Sequence, residues 1–199
     1  MSHHIYHTRG LVLGSVATRE SNKYYRIFTE ELGLVGATAQ AVRKLSSKLR
    51  YTLQDFSWIN VDLVHGREVW RITSAVPEEV APIHHGEIFL ENRVLLARVC
   101  ALVARLVHGE EQNKILFKEL SVITEFLRAE IVPSFLHSSF ETLATMRVLA
   151  HLGYDNFELY KDFVQNREWS QNTLMSFENV RLPALRDVNN VLRETHLYP

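Results

Sequence analysis

The amino-acid sequence predicts an α+β protein in which a small five-stranded β-barrel precedes an α-helical half. Three observations carry this. Residues 1–76 form short runs of β-forming side chains with alternating character, separated by turn residues. Breakers then gather at Pro77 and Pro82 around Glu78-Glu79. Beyond them, apolar residues recur at spacings of three and four. A boundary within 77–87 therefore separates a predicted barrel domain at 1–80 from a predicted helical domain at 81–199.

The first strand is expected over residues 5–16, where Gly10 and Gly14 suit bends or bulges in a tightly curved sheet. Residues 23–30 alternate, with Tyr24, Arg26 and Phe28 on one face and Tyr25, Ile27 and Thr29 on the other. Gly33 supplies the next turn, and 34–42 continues with the small side chains Gly36, Ala37, Ala39 and Ala41. Residues 56–65 set Ser57, Ile59, Val61 and Leu63 on one face, and His65-Gly66-Arg67 turns the chain into 69–75. Five strands at this spacing form a small barrel or sandwich. A first helix is expected over 88–107, closed by His108-Gly109. A second over 115–128 uses Leu116, Leu120, Ile123 and Leu127. Ser138 and Glu141 have the spacing of a capping box for a third, which ends at Gly153. A fourth is placed at 155–164. The last has Pro183 in its first turn and uses Leu185, Val188, Val191 and Leu192.

The apolar fraction of 46% is enough for a buried core, and a net charge of −1 favours no partner for the molecule as a whole. The charge is unevenly placed: residues 1–80 hold ten Lys or Arg against eight Asp or Glu, and the remainder twelve against fifteen. The single cysteine, Cys100, lies in an apolar run and reads as a buried thiol, which excludes a cysteine-built zinc site. No export signal opens the chain and no apolar run is long enough to span a membrane, so a cytoplasmic setting is expected.

The segment Arg43-Lys44-Leu45-Ser46-Ser47-Lys48-Leu49-Arg50 joins two strands, and between Leu32 and Gln54 there is no acidic residue. Such a segment either neutralises phosphates through its cations, with the serines as added donors, or is a solvated loop. The aromatic residues Tyr24, Tyr25, Phe28, Phe56, Trp58 and Trp70 serve either as core or as a base-stacking platform, with Tyr24 and Arg26 the pair expected outside. His3, His4 and His7, and the adjacent His84 and His85, lack the spacing of a metal site. No phosphate-binding glycine loop or nucleophile elbow is present. A non-enzymatic protein without metal or cofactor is expected.

Taken in order, several motifs resemble the bacterial recombination-mediator family RecO. Thr8-Arg9-Gly10-Leu11-Val12-Leu13 is similar to that family's first strand, and residues 24–35, Tyr24 through Val35, to its next two strands with their Thr-x-x-x-Gly turn. Residues 41–49 fall at its basic-serine segment, and Leu53-Gln54-Asp55-Phe56 resembles its Leu-Gln-Pro-Phe, with Asp55 in place of proline. Residues 113–120 and the stretch from Phe140 to Leu152-Gly153-Tyr154 resemble helical elements. The resemblance implies an N-terminal OB-fold barrel, binding of single- and double-stranded DNA, strand annealing and loading of RecA. RecR and the single-stranded-DNA-binding protein are its implied partners. Many members carry a four-cysteine zinc module that is missing here, and residues 165–182 read as a reduced replacement.

On this reading Arg43, Lys44, Lys48 and Arg50 contact phosphates, with Arg9, Lys23, Arg26 and Tyr24 secondary. The alternative is a non-catalytic adaptor whose barrel is a scaffold and whose helical domain binds a partner peptide in an apolar groove.

Overall fold

The computed structural model describes residues 4–66, 68–78, 89–154 and 156–194. His3, Arg67, most of the linker including His84 and His85, and Asp155 lie outside the described residues. The chain divides into two compact units, residues 1–80 together with 107–117, and residues 81–106 together with 118–199. Residues 107–117, read from sequence as helical-half connection, thus group with the strands.

Five strands close the first unit: β1 (Ile5–Thr18), β2 (Asn22–Thr29), β3 (Gly33–Ala39), β4 (Trp58–His65) and β5 (Trp70–Pro77). They form a closed barrel in the order β1-β2-β3-β5-β4, antiparallel except where β3 meets β5. This is the five-stranded OB-fold barrel. Its longest strand turns a corner at a bulge between Val12 and Gly14, beside the glycine expected to permit it. The inward rows are Val12; Tyr25 and Ile27; Val35, Ala37 and Ala39; Ile59, Val61 and Leu63; and Trp70 and Ile72. The alanines of β3 make room for the rings of Tyr25 and Trp70, so large and small side chains fill a narrow interior together.

The turn from β2 to β3 shows why its sequence has the form Thr29-Glu30-Glu31-Leu32-Gly33. The buried Thr29 hydroxyl donates to the Gly33 carbonyl at 2.9 Å and accepts from the Leu32 amide at 3.0 Å. Gly33 has φ +68°, and a Cβ there would sit 2.3 Å from the Glu111 carbonyl oxygen. Both the left-handed backbone and the contact require glycine. Gly33→Ala is expected to lower stability by about 2 kcal/mol or more, read as a fall in urea midpoint at unchanged slope. A shift of only a few tenths would show that residue 111 is not held against this turn.

Residues 107–117 cover part of the outer face of the barrel. Phe117 packs against Trp58 and Phe28 at ring-centroid distances of 5.2 and 6.0 Å, and Trp70 Nε1 donates to Glu110 Oε1 at 2.6 Å. Gln112 Nε2 donates to Glu31 Oε2 at 2.7 Å. Large rings on the outward row of β2 and β4 are thereby removed from water.

The second unit is helical. Its elements are α2 (Leu90–Leu106), the greater part of α3 (Lys114–Ala129), α4 (His137–His151), α5 (Lys161–Gln165), α6 (Gln171–Glu178) and α7 (Arg181–Glu194). A four-residue helix of the barrel unit, α1 (Leu49–Thr52), precedes them in the chain. The α4 helix buries residues on nearly every side, from Ser139 to Leu149, as expected of a helix surrounded by others. Cys100 is buried in α2, as its apolar surroundings predict. Asn92 is also fully buried; its Nδ2 donates to the carbonyls of Leu127 and Glu130 and its Oδ1 accepts from the Val132 amide, closing the end of α3.

Two sequence expectations are corrected here. No capping box forms at Ser138: a 3-10 turn at Ser134–Leu136 leads directly into α4, and no side chain caps it. The helix expected at 155–164 is a 3-10 turn at Glu158–Tyr160 followed by the short α5. Residues 165–182 contain α6, whose true N-cap, Ser170, accepts from the Thr173 amide at 3.1 Å. Among the described residues no helix is long and apolar enough to cross a membrane.

The core of this unit holds an ion pair. Arg147 is fully buried, and its guanidinium meets Glu119 Oε1 at 3.2 Å, the carbonyls of Phe163 and Glu168 at 2.9 and 3.3 Å, and the Trp169 ring at 4.5 Å. Trp169 Nε1 donates to the same Glu119 oxygen at 2.8 Å, and His151 Nε2 lies 3.6 Å from the other. Burial opposes the Glu119 charge, but the contact with His151, the Arg147 cation and the Trp169 indole outweigh it and hold the carboxyl below its ordinary range.

Candidate nucleic-acid interface

The basic segment between β3 and β4 is an ordered chain of turns. Lys44, Ser47 and Arg50 amides bond back to the carbonyls of Ala41, Lys44 and Ser47, and α1 completes the path. Two apolar residues pin it: Val42 and Leu53, 2% and 1% exposed, are built into the barrel core. Ala41 and Phe56, near its two ends, have φ of +55° and +69°, so the backbone turns sharply on entering and leaving. With Val42 and Leu53 inside, the segment turns Arg43, Lys44, Lys48 and Arg50 outward, and all four are exposed.

Arg43 is oriented further by the β1–β2 turn. Its amide donates to the Ser21 carbonyl at 3.0 Å and its guanidinium to the carbonyls of Glu20 and Arg19 at 3.1 and 3.4 Å. Beside it opens a pocket of about 440 Å³ lined by Lys23, Tyr25, Val42, Arg43, Arg50 and Gln54. Lys23 precedes Tyr25 by two residues in β2, so the inward row of that strand emerges at the pocket as a cation. Lys23 Nζ donates to Ser15 Oγ at 3.3 Å, and that hydroxyl donates to Asp55 Oδ1 at 2.8 Å. Burial, with the Asp55 charge adding to it, pushes the Tyr25 phenol up to about 12, so it stays protonated and neutral. None of the six lining residues is a carboxylate.

The structure therefore brings together Lys23, Arg43 and Arg50, with Lys44 and Lys48 on the same segment. It does not bring Arg9 to them. Arg9 is paired with Glu78 at 2.5 Å and Glu30 at 3.6 Å and lies over the Phe117 ring, so two carboxylates neutralise it. Arg26 is exposed on the outward row of β2. Tyr24, on that row, is half-buried, its hydroxyl lying over Gly36, where a Cβ would come within 1.9 Å. Tyr25, Val42 and Gln54 were not among the residues expected at the site. The period-2 alternation of β2, which aligns Tyr25 with Lys23, was the signal that pointed to the first. Among the described residues no group of three His, Cys, Asp or Glu is placed to hold a metal.

Fold and site together define an OB-fold barrel with a cationic mouth. The family comparison is more specific: residues 1–81 match the family profile described as Recombination protein O N terminal. Over 84 residues the chain is 31% identical to the DNA repair protein RecO of Heliobacterium modesticaldum, covering 42% of this chain and 31% of that protein. It is 32% identical over 71 residues to the RecO protein of Rubrobacter xylanophilus, covering 36% and 29%. A longer match, 24% identical over 178 residues, relates 87% of it to 66% of the RecO protein of Clostridium novyi. The N-terminal 81 residues are thus similar to the N-terminal region of RecO proteins, as the motif order implied. It spans less than two thirds of the length of the curated relatives it matches.

Proposed function

We propose that this protein is a non-enzymatic recombination mediator in DNA repair, binding single- and double-stranded DNA through phosphate contacts at the mouth of its barrel. The observation that supports this most directly is the convergence of Lys23, Arg43 and Arg50 on one pocket without a lining carboxylate. Cations held there lower the repulsion between two phosphate backbones, so complementary strands approach and pair. Annealing and RecA loading, with RecR and the single-stranded-DNA-binding protein as partners, complete the reading. The names of the relatives support its setting in DNA repair.

The test is a salt titration of binding to a labelled single strand. The logarithm of affinity should fall linearly with the logarithm of salt, with a slope of about −0.7 per phosphate neutralised. Lys44→Ala and Lys48→Ala should each make that slope shallower by about 0.7. Arg9→Gln should leave it unchanged, because Glu30 and Glu78 already neutralise that cation. Binding that ignores salt, or no binding to either form of DNA, overturns the reading.

A further inference from the structure

The α2 helix is apolar on two sides, and the fold buries only one. Leu95, Leu96, Val99, Cys100, Val103 and Leu106 are buried in the helical unit. On the opposite side Leu90, Val94, Ala97 and Ala101 follow one another at spacings of four, three and four residues, which makes a single stripe. Leu90 is 75% and Val94 55% exposed, Ala101 is exposed and Ala97 half-buried. A helix that is apolar all round belongs in an interior, so the stripe calls for a second covering surface. Its spacing is that of a coiled-coil seam, and its two alanines let another helix backbone come close.

The charges along one edge of the stripe indicate what covers it. Glu91, Arg98 and Arg105 recur every seven residues, so they line the same flank, and all three are exposed. Glu91 stands in the first turn of the helix and Arg105 in the last. A second α2 laid antiparallel about a two-fold axis keeps this flank on the same side and reverses its ends. Glu91 of each copy then meets Arg105 of the other, and Val94 faces the small Ala101. Arg98 falls near the axis, but it already pairs with the Glu141 carboxylate and so brings its own counter-charge. A parallel pair would instead set Arg93 against Arg98 of the other copy. We propose that two copies of this chain associate through the outer face of α2 as an antiparallel helix pair. The helix has 17 residues and is about 25 Å long, so the interface is small and the Kd is on the order of 10 µM. A dimer carries two barrels, one for each strand in the proposed annealing, although the association itself does not depend on that reading.

Sedimentation equilibrium of the full chain without DNA is the test. The parent should pass from one chain to two between about 1 and 100 µM. Val94→Glu places a charge on the seam of each copy at an exposed position, and it should weaken association at least about 30-fold. A second set of variants stays readable even if that one fails to fold. Glu91→Arg and Arg105→Glu each leave like charges facing one another at both ends of the pair, and each should weaken association about fivefold. The double variant, Glu91→Arg with Arg105→Glu, should recover the parent's affinity, because the two charges have exchanged places. Circular dichroism verifies that each variant keeps its helices. A parent that remains single chains at about 100 µM leaves the face to a different protein and overturns the proposal. A folded Val94→Glu protein that pairs like the parent also overturns it, and so does a double variant that recovers nothing. Because mass is read without DNA, none of these failures touches the DNA-binding reading.

Discussion

Replacing Arg43, Lys44, Lys48 and Arg50 together with glutamate is expected to weaken single-strand binding by at least about 100-fold at low salt and to flatten its salt dependence by about 3 in slope. The magnitude follows from the placement of the four cations. All are exposed, so each displaces condensed counterions when a phosphate approaches, and reversal adds repulsion to the lost release. The barrel should survive, because the segment is anchored by Val42 and Leu53 and not by its charges. Arg43 also donates to the carbonyls of Arg19 and Glu20, so about 1 kcal/mol of stability should be lost with it. Circular dichroism and a urea melt distinguish that loss from unfolding. A folded quadruple variant that binds like the parent would exclude this segment from the interface.

The second large effect concerns the helical unit. Arg147→Met should destabilise it by about 3–5 kcal/mol, since Glu119 would remain buried without its cation. Removing both charges in Arg147→Met with Glu119→Leu should recover much of that loss, because the ion pair's own desolvation is then also removed. The same pair sets an acid limit. Glu119 has a folded-state pKa below its unfolded value, so the folded state prefers the ionised form. Its contribution is present above about pH 4.3, the ordinary glutamate value, and is lost as pH falls through the lowered folded value. Urea midpoints of parent and double variant, measured from neutral pH downward, should converge in acid. Parallel curves would show that Glu119 titrates normally. The Arg147 guanidinium, 4.5 Å from the Trp169 ring, makes tryptophan fluorescence a fitting readout.

Much of the barrel was legible because local patterns there match their tertiary outcome. Alternation in 23–30 and 56–65 grouped Tyr25 with Ile27, and Ile59 with Val61 and Leu63, on single faces, and all five are buried in the barrel core. The helical unit was less legible at its termini. Ser138 and Glu141 have capping-box spacing, yet the preceding residues enter α4 through a 3-10 turn and leave the box unused. Ser170 does cap a helix, but α6 is eight residues long and too short for a convincing periodicity. Residues 165–182, read as a reduced replacement for a missing module, contribute to the core of the helical unit: Trp169 and the Glu168 carbonyl hold Arg147, and Leu174 and Phe177 are buried.

By itself the sequence determined the barrel-then-helices order, the basic segment with no acid between Leu32 and Gln54, and the resemblance of its N-terminal motifs to RecO proteins. These depend on neighbours a few residues apart, where side-chain period and charge are read directly. Only the tertiary structure decided which cations share a site: Lys23 joins Arg43 and Arg50, while Arg9 turns to Glu30 and Glu78. The physical reason is that a long charged side chain takes whichever partner barrel closure brings within reach, and closure joins residues tens of positions apart.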